Sequence, residues 1–400
     1  MKVLFVNAIC GIGSTGAIVT DLLACLKEHG EGGKIAFGFG EAKRISSPDD
    51  CIKMNHKFGY YTHNFLSRLT DHAGLYSTRE TRSFVEKIKA YNPDIIHLHN
   101  LHGYYLNYEV LFRFLRSYQK PVVWTLHDCW AFTGHCPHFV RTNCMQWKTK
   151  CTDCAELRHY PKCYFGGDVG YNFEKKKESF TSLSDLTLVT PSAWLMELVK
   201  QSFLGKYPVQ VIPNGIDTEI FAPHESDFRE KYNLQGQKIV LGVANVWSEK
   251  KGLGDFIKLR SMLPEDFSVV LVGLSEKQLQ TLPKNIIGIK RTENARALAE
   301  IYSAADVFFN PTYEDTYPTV NMEAQACATP VVVYDVGGCA ETLRGENGRA
   351  IPRGDLNAAK EAVFSLIGKR AVPSKSFCKK TAAENYMRLY EQVLHHSQTK

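Results

Sequence analysis

The stretch 306–334, DVFFNPTYEDTYPTVNMEAQACATPVVVY, constrains the fold most. It opens on a short apolar run, Val307-Phe308-Phe309, and continues into a loop carrying Glu314 and Asp315. After Pro318 the pattern of Val320, Met322, Ala324 and Ala326 suits a helix that also bears Glu323. The run 330–334 then reads as a second strand. Strand, acidic loop, helix and strand make a βαβ unit, and in such sheets ligands sit beyond the carboxyl ends of the strands. One carboxylate is expected in the loop and one near the helix N-terminus, where backbone N–H groups also attract anions. Taken alone, the same residues fit a helix cap and solvated loop charges.

The alternation of apolar runs and helical stretches recurs along the chain. Residues 2–6 are a continuous apolar run leading into Cys10-Gly11-Ile12-Gly13-Ser14-Thr15-Gly16 and an amphipathic stretch, 17–28. This order lets backbone amides approach a diphosphate. Gly11, Gly13 and Gly16 have the G-x-G-x-x-G spacing, but no acidic residue closes a second strand where a dinucleotide site needs one, and a tight turn explains the glycines as well. Further strands are expected at 34–38, 94–98, 121–126, 186–189, 209–212, 238–244 and 267–273, with a strand and loop over 285–292.

The strand at 94–98 emerges at His97, His99, His102, Tyr104 and Tyr105, a set suited to hydrogen-bonding hydroxyls, with His97 reading as a core residue. The strand at 121–126 ends in His127-Asp128, and Asp128 is placed to orient His127 or to cap the next turn. Residues 56–73 are polar and aromatic, a helix that could lie near an acceptor. Residues 174–181 carry Lys175, Lys176 and Lys177, a solvated basic face in the plain reading and a contact for anionic lipid or acceptor phosphate in the sharper one.

Four hundred residues fit two domains. No apolar run approaches bilayer length, and residues 1–13 read as a first strand rather than a signal peptide, so a cytoplasmic chain is expected. A net charge of +6 permits docking at the inner face of the cytoplasmic membrane and does not by itself point to nucleic acid. Of the twelve cysteines, Cys136, Cys144, Cys151 and Cys154 form C-x7-C-x6-C-x2-C in a loop too long to hold itself. A structural Zn²⁺ bound by these four thiolates is expected, with His135, His138 and His159 as substitutes and disulfides or free thiols as the alternatives.

Residues 310–332 resemble the carboxy-terminal signature of the retaining glycosyltransferases of family 4 (group 1): two acidic residues separated by seven, then Ala-x-Ala-Cys-x-x-Pro-Val-Val. Asp315 and Glu323 have that spacing. Asp315 stands where the family usually has Glu, and Glu314, one residue earlier, is the other candidate. The resemblance implies an α/β fold of the GT-B type, two doubly wound Rossmann-like domains facing across a cleft. It places an acceptor-side domain at 1–212 with a cysteine-rich insertion at 129–165, a nucleotide-sugar domain at 213–375, and a helix at 376–400 that returns to the first domain through Tyr386, Tyr390 and Val393. Pro213-Asn214-Gly215-Ile216-Asp217 matches the family's hinge.

The implied reaction moves a sugar from a nucleotide-diphosphate donor to a saccharide hydroxyl with retention and without a metal. The acceptor is expected to be lipid-linked, in polysaccharide or O-antigen (lipopolysaccharide) assembly, with peripheral membrane contact. Gly13, Ser14, Gly16, Lys250 and Lys251 would hold the diphosphate, although the family's upstream Arg is replaced by Asn245 or Val246. The loop with Arg291 would hold the base and Glu323 the ribose. His127 with Asp315 or Glu314 would hold the sugar. The alternative is a non-catalytic nucleotide-sugar-binding or scaffold protein with a four-cysteine metal site.

Overall fold

The computed structural model describes residues 1–54 and 56–398. The chain divides into two units, Met1–Pro213 with Ala382–Lys400, and Asn214–Thr381.

The first unit is built on β1 (Lys2–Asn7), β2 (Gly32–Phe37), β3 (Cys51–Lys53), β4 (Ile95–Leu98), β5 (Val122–Thr125), β6 (Leu186–Thr190) and β7 (Val209–Val211). They form one parallel sheet in the order β3-β2-β1-β4-β5-β6-β7. A parallel sheet is covered on both faces, which is why these strands are unbroken apolar runs. Alternate residues of β1 serve opposite faces: Leu4 and Val6 enter a core with Leu98, Phe112 and Trp124, while Val3 and Phe5 pack on the other side with Leu23 and Ile35. That second side is closed by the last helix, Lys379–Gln398, through Ala383, Tyr386, Tyr390 and Val393. The short edge strand β3 carries no apolar run of its own, and the sequence reading missed it.

The second unit holds β8 (Lys238–Val243), β9 (Phe267–Val272), β10 (Ile286–Ile289), β11 (Val307–Asn310), β12 (Val331–Tyr334) and β13 (Gly348–Ile351), parallel in the order β10-β9-β8-β11-β12-β13. The fold is therefore the expected one, two doubly wound α/β units. In each sheet the strand order reverses once, between β1 and β4 and between β8 and β11. Neighbouring connections leave such a point on opposite faces and open a crevice at the strand ends.

The insertion after β5 contains two short 3-10 turns, Trp130–Phe132 and Gln146–Lys148, rather than strands or longer helices. Its interior is aromatic: Trp147 stacks on Phe139 at 5.0 Å and meets Phe132 edge-on. Lys176, on the helix Val169–Phe180, is buried beneath it. Its ammonium donates to the carbonyls of Trp130 (2.8 Å) and Thr133 (3.0 Å) and lies 3.7 Å from the Trp130 ring centroid. This corrects the solvated basic face expected over 174–181. Lys175 pairs with Glu109 at 3.2 Å and Lys176 points inward, leaving Lys177 as the exposed member of the triplet.

Candidate active site

In the second unit the loops that leave β8 and β11 emerge side by side. The first ends in a 3-10 turn, Glu249–Lys251, followed by Gly252 and the helix Leu253–Met262. Gly252 is left-handed (φ 73°), and a Cβ there would lie 2.3 Å from the Pro311 carbonyl oxygen, so glycine lets the two loops touch. Tyr313 N–H donates to the Lys250 carbonyl at 2.8 Å. The side chains pair across this seam: Lys250 Nζ lies 2.5 Å from Glu314 Oε1 and Lys251 Nζ lies 2.8 Å from Asp315 Oδ2. Burial works against the Lys251 ammonium, but the Asp315 carboxylate outweighs it and raises its pKa.

The two carboxylates differ in what else they hold. Asp315 Oδ1 accepts from Tyr317 N–H at 3.3 Å. Glu314 is buried, and its Oε2 has no hydrogen-bond partner among the described residues. A third segment closes on this loop: Gly337 is left-handed (φ 58°), and a Cβ there would stand 1.9 Å from the Asp315 carbonyl oxygen. Gly338 N–H donates to that same oxygen at 3.2 Å.

Glu323 lies on the helix Thr319–Ala326, whose start after Pro318 is where the sequence pattern puts it. Tyr302 OH donates to Glu323 Oε2 at 3.2 Å. By exposed area Glu323 is only half-buried, yet so much protein surrounds its carboxyl that burial raises it to about 7, against the hydrogen bonds from Tyr302 and Thr319. Tyr302 was not anticipated, because it belongs to a different helix, Ala295–Ala304, and only the fold brings it to Glu323. Arg291 is exposed on the segment between β10 and that helix.

In the first unit the helix after β1 begins at Gly13, so the amides of Gly13, Ser14 and Gly16 lie in its first turn; Gly13 and Ser14 are exposed and Gly16 is buried. Gly11 N–H donates to the Gly16 carbonyl at 3.0 Å and closes the loop.

His127 follows β5 in a small crevice with His99, Asn100, His102 and Trp130. His99 Nδ1 and His127 Nε2 are 3.0 Å apart and share a hydrogen, with the rings stacked at 5.3 Å. Burial lowers His127 to about 4, so the ring is neutral at pH 7. Asp128 caps the next turn, one of its two expected roles, by accepting from Trp130 N–H at 2.9 Å, and it also pairs with His102 Nε2 at 2.8 Å. His97 is a fully bonded core residue, with Nδ1 on Tyr390 OH (2.7 Å) and Nε2 on Thr125 Oγ1 (2.8 Å).

Among the described residues the cysteines of the insertion form no disulfide. Cys151 Sγ accepts from Gly134 N–H at 3.3 Å. A hydrogen bond from Cys136 holds the Cys154 thiol down to about 7. Among the described residues no group of three or more His, Cys, Asp or Glu side chains is arranged to hold a metal ion. Two substitute ligands are otherwise engaged, His135 with buried Asp71 and His159 with Glu156.

The chain is similar to known glycosyltransferases in sequence and in fold. Residues 52–220 match the profile of Glycosyltransferase Family 4, and residues 237–369 match that of Glycosyl transferases group 1. Over 392 residues, 92% of this chain and 89% of the relative, the chain is 24% identical to WcaC of Escherichia coli (strain K12), named for a glycosyl transferase step of colanic acid biosynthesis. It is 30% identical over 176 residues to the processive diacylglycerol alpha-glucosyltransferase of Acholeplasma laidlawii, a match spanning 41% of this chain and about half (52%) of that one. Among solved structures, sucrose-phosphate synthase from Thermosynechococcus elongatus superposes with a TM-score of 0.73 at 16% identity, covering 99% of this chain and 100% of that one. Anabaena HepE in complex with UDP-glucose superposes with a TM-score of 0.63 at 16% identity over 100% of both chains. A profile match in each unit and the GT-B fold of these neighbours make the chain a member of the group 1, family 4 glycosyltransferases.

Proposed function

We propose that this glycosyltransferase moves a sugar, with retention, from a nucleotide-diphosphate donor to a hydroxyl of a lipid-linked saccharide in cell-surface polysaccharide assembly, at the inner face of the cytoplasmic membrane. The observation that carries the reading is the double pair Lys250–Glu314 and Lys251–Asp315 beside the switch point between β8 and β11. Two ammonium groups held in place by carboxylates are poised to exchange those partners for a diphosphate, whose leaving charge is what the reaction must stabilise. The first-turn amides of Gly13, Ser14 and Gly16 would serve the same charge. Arg291 and its segment would lie by the base, and ionised Glu323 would accept from ribose hydroxyls. Neutral His127, fixed by His99, would meet the sugar as a hydrogen-bond partner.

Between the two candidate carboxylates we assign the sugar to Glu314. Both oxygens of Asp315 are engaged, whereas the buried Oε2 of Glu314 is an orphan that a sugar hydroxyl would satisfy. With no divalent ion needed beside two lysines, transfer would persist in excess chelator. The lipid-linked acceptor is supported by a relative from Campylobacter jejuni named for transfer onto a diphospho-undecaprenol-linked sugar. Alpha linkages in the names of relatives agree with retention.

The test begins with a panel of nucleotide sugars scored by thermal protection, followed by turnover of the protecting donor and the anomeric configuration of the product. Glu314→Gln should lower kcat/KM by roughly 10–100-fold, as expected for the loss of a charged hydrogen bond, and Asp315→Asn by less. Equal activity of Glu314→Gln and wild type would remove Glu314 from the site. Donor binding without turnover in any variant would favour a nucleotide-sugar-binding scaffold instead. Structural zinc on Cys136, Cys144, Cys151 and Cys154 stays a separate proposal, supported by their spacing and the N–H···S bond to Cys151; about one zinc per purified chain is its check.

A further inference from the structure

The helix Lys57–Thr70 exposes three of its large rings. An ordinary surface helix buries its large apolar side chains. This one turns His63 and Ser67 inward and leaves Phe58 (84% exposed), Tyr61 (62%) and Phe65 (61%) in water. Positions 58, 61 and 65 share one face, so the three rings form a stripe. The loop 157–167 extends it: Tyr164 N–H donates to the Arg68 carbonyl at 2.8 Å and Arg68 donates to Tyr164 OH at 3.3 Å, at the C-terminal end of the helix. The next residue, Phe165, is 73% exposed.

The two segments that carry these rings bear charge of one sign, and the nearest carboxylates at their C-terminal ends are engaged: Asp168 pairs with His72 and Asp71 with His135. Residues 51–70 and 157–167 contain no Asp or Glu, and they carry Lys53, Lys57, Arg68, Arg158 and Lys162. Arg158 donates to the Tyr164 carbonyl at 2.9 Å, and the Lys162 ammonium sits 5.0 Å from the Tyr164 ring. Exposed aromatic rings among cations, without a compensating carboxylate in these segments, match the interfacial zone of a bilayer with anionic headgroups, where rings enter the headgroup level and cations meet phosphates.

The inner side of the same helix leads toward the His127 crevice. Tyr60 stacks on Phe39 at 4.0 Å and meets Tyr104 edge-on, Tyr104 meets Tyr160, and Tyr160 OH bonds His102 Nδ1 at 2.9 Å. His102 lines the crevice that holds His127.

We propose that the face made by Phe58, Tyr61 and Phe65, continued by Phe165, docks this unit on an anionic lipid bilayer and so presents membrane-held acceptors to the site. The inference deepens the lipid-linked acceptor reading and rests on it for its purpose, though not for its test.

Full-length protein should cosediment with vesicles of phosphatidylcholine and phosphatidylglycerol far better than with phosphatidylcholine alone, and high salt should weaken that binding. Phe58→Ser with Phe65→Ser should cut vesicle affinity by about tenfold or more, while leaving the thermal melt and acceptor-free donor hydrolysis at wild-type levels. Lys57→Glu should weaken binding to the anionic vesicles in the same direction. Equal binding of wild type to both vesicle types, or unchanged binding by the double variant, overturns the proposal. So does a fall in oligomeric mass of the double variant without loss of vesicle binding, since the face would then join two copies of this chain. Vesicle binding that follows these predictions, together with transfer only to soluble saccharides, would sink the lipid-linked acceptor reading and leave the docking face standing.

Discussion

Glu323 is the residue whose environment and expected task pull against each other. Surrounding protein raises its carboxyl from 4.5 to about 7, while holding ribose hydroxyls as an acceptor requires the ionised form. Between these values the folded chain keeps a proton that the unfolded chain has released. The stabilisation is therefore complete below pH 4.5 and is lost as pH rises through about 7. Glu323→Gln cannot ionise, so its melting temperature should vary less with pH across that window, a difference thermal unfolding at several pH values would reveal. The wild-type KM for the donor should fall as pH rises through about 7, and that dependence should disappear in the variant, with KM raised roughly tenfold or more at pH 8. A KM profile of the variant that parallels wild type would assign the titration to another group.

At the scale of elements, the site depends on backbone contacts between connections that are far apart in sequence. Gly337 presses on the Asp315 carbonyl in a left-handed conformation. Gly337→Ala adds a strained φ and a clash with backbone, so it should cost about 1–3 kcal/mol and displace the acidic loop. Both effects are measurable, as a lowered melting point and as weakened donor protection. The insertion depends in a similar way on Lys176, which satisfies two backbone carbonyls beneath Trp130. Burial brings its ammonium down to about 7, against the nearby charge of Asp71. Lys176→Ala would orphan both carbonyls and leave a cavity, a loss of roughly 3 kcal/mol or more by chemical denaturation.

For the molecule as a whole, the first unit takes part of its core from the far end of the chain. Tyr386 and Tyr390 are buried against the sheet, and their hydroxyls reach Thr125 at 3.0 Å and His97 at 2.7 Å. A chain ending at Thr381 would expose that face and leave His97 buried without its phenolic partner. The first unit should then lose its cooperative unfolding transition while Asn214–Thr381 keeps its own. Calorimetry of the truncated chain against full length checks this. Tyr390→Phe, which removes only the hydroxyl, should cost about 1 kcal/mol.

The sequence by itself determined the βαβ rhythm, because strands buried on both faces must be unbroken apolar runs and helices must be amphipathic. It also placed Glu323 just after the helix start at Pro318, since both depend on local spacing. It could not tell that Lys176 points inward while Lys177 points out, because Lys175-Lys176-Lys177 read alike until the insertion is laid over the helix. His127 was legible from the end of its strand, but its partner was not: neighbouring Asp128 turns to His102 and Trp130, and His99 arrives from another strand. The same holds for Tyr302 on Glu323 and for the pairing of Glu314 with Lys250 and of Asp315 with Lys251. Periodicity is a property of neighbours in sequence, whereas which lysine faces which carboxylate is set by strand order and close backbone approach, and only the tertiary structure decides those.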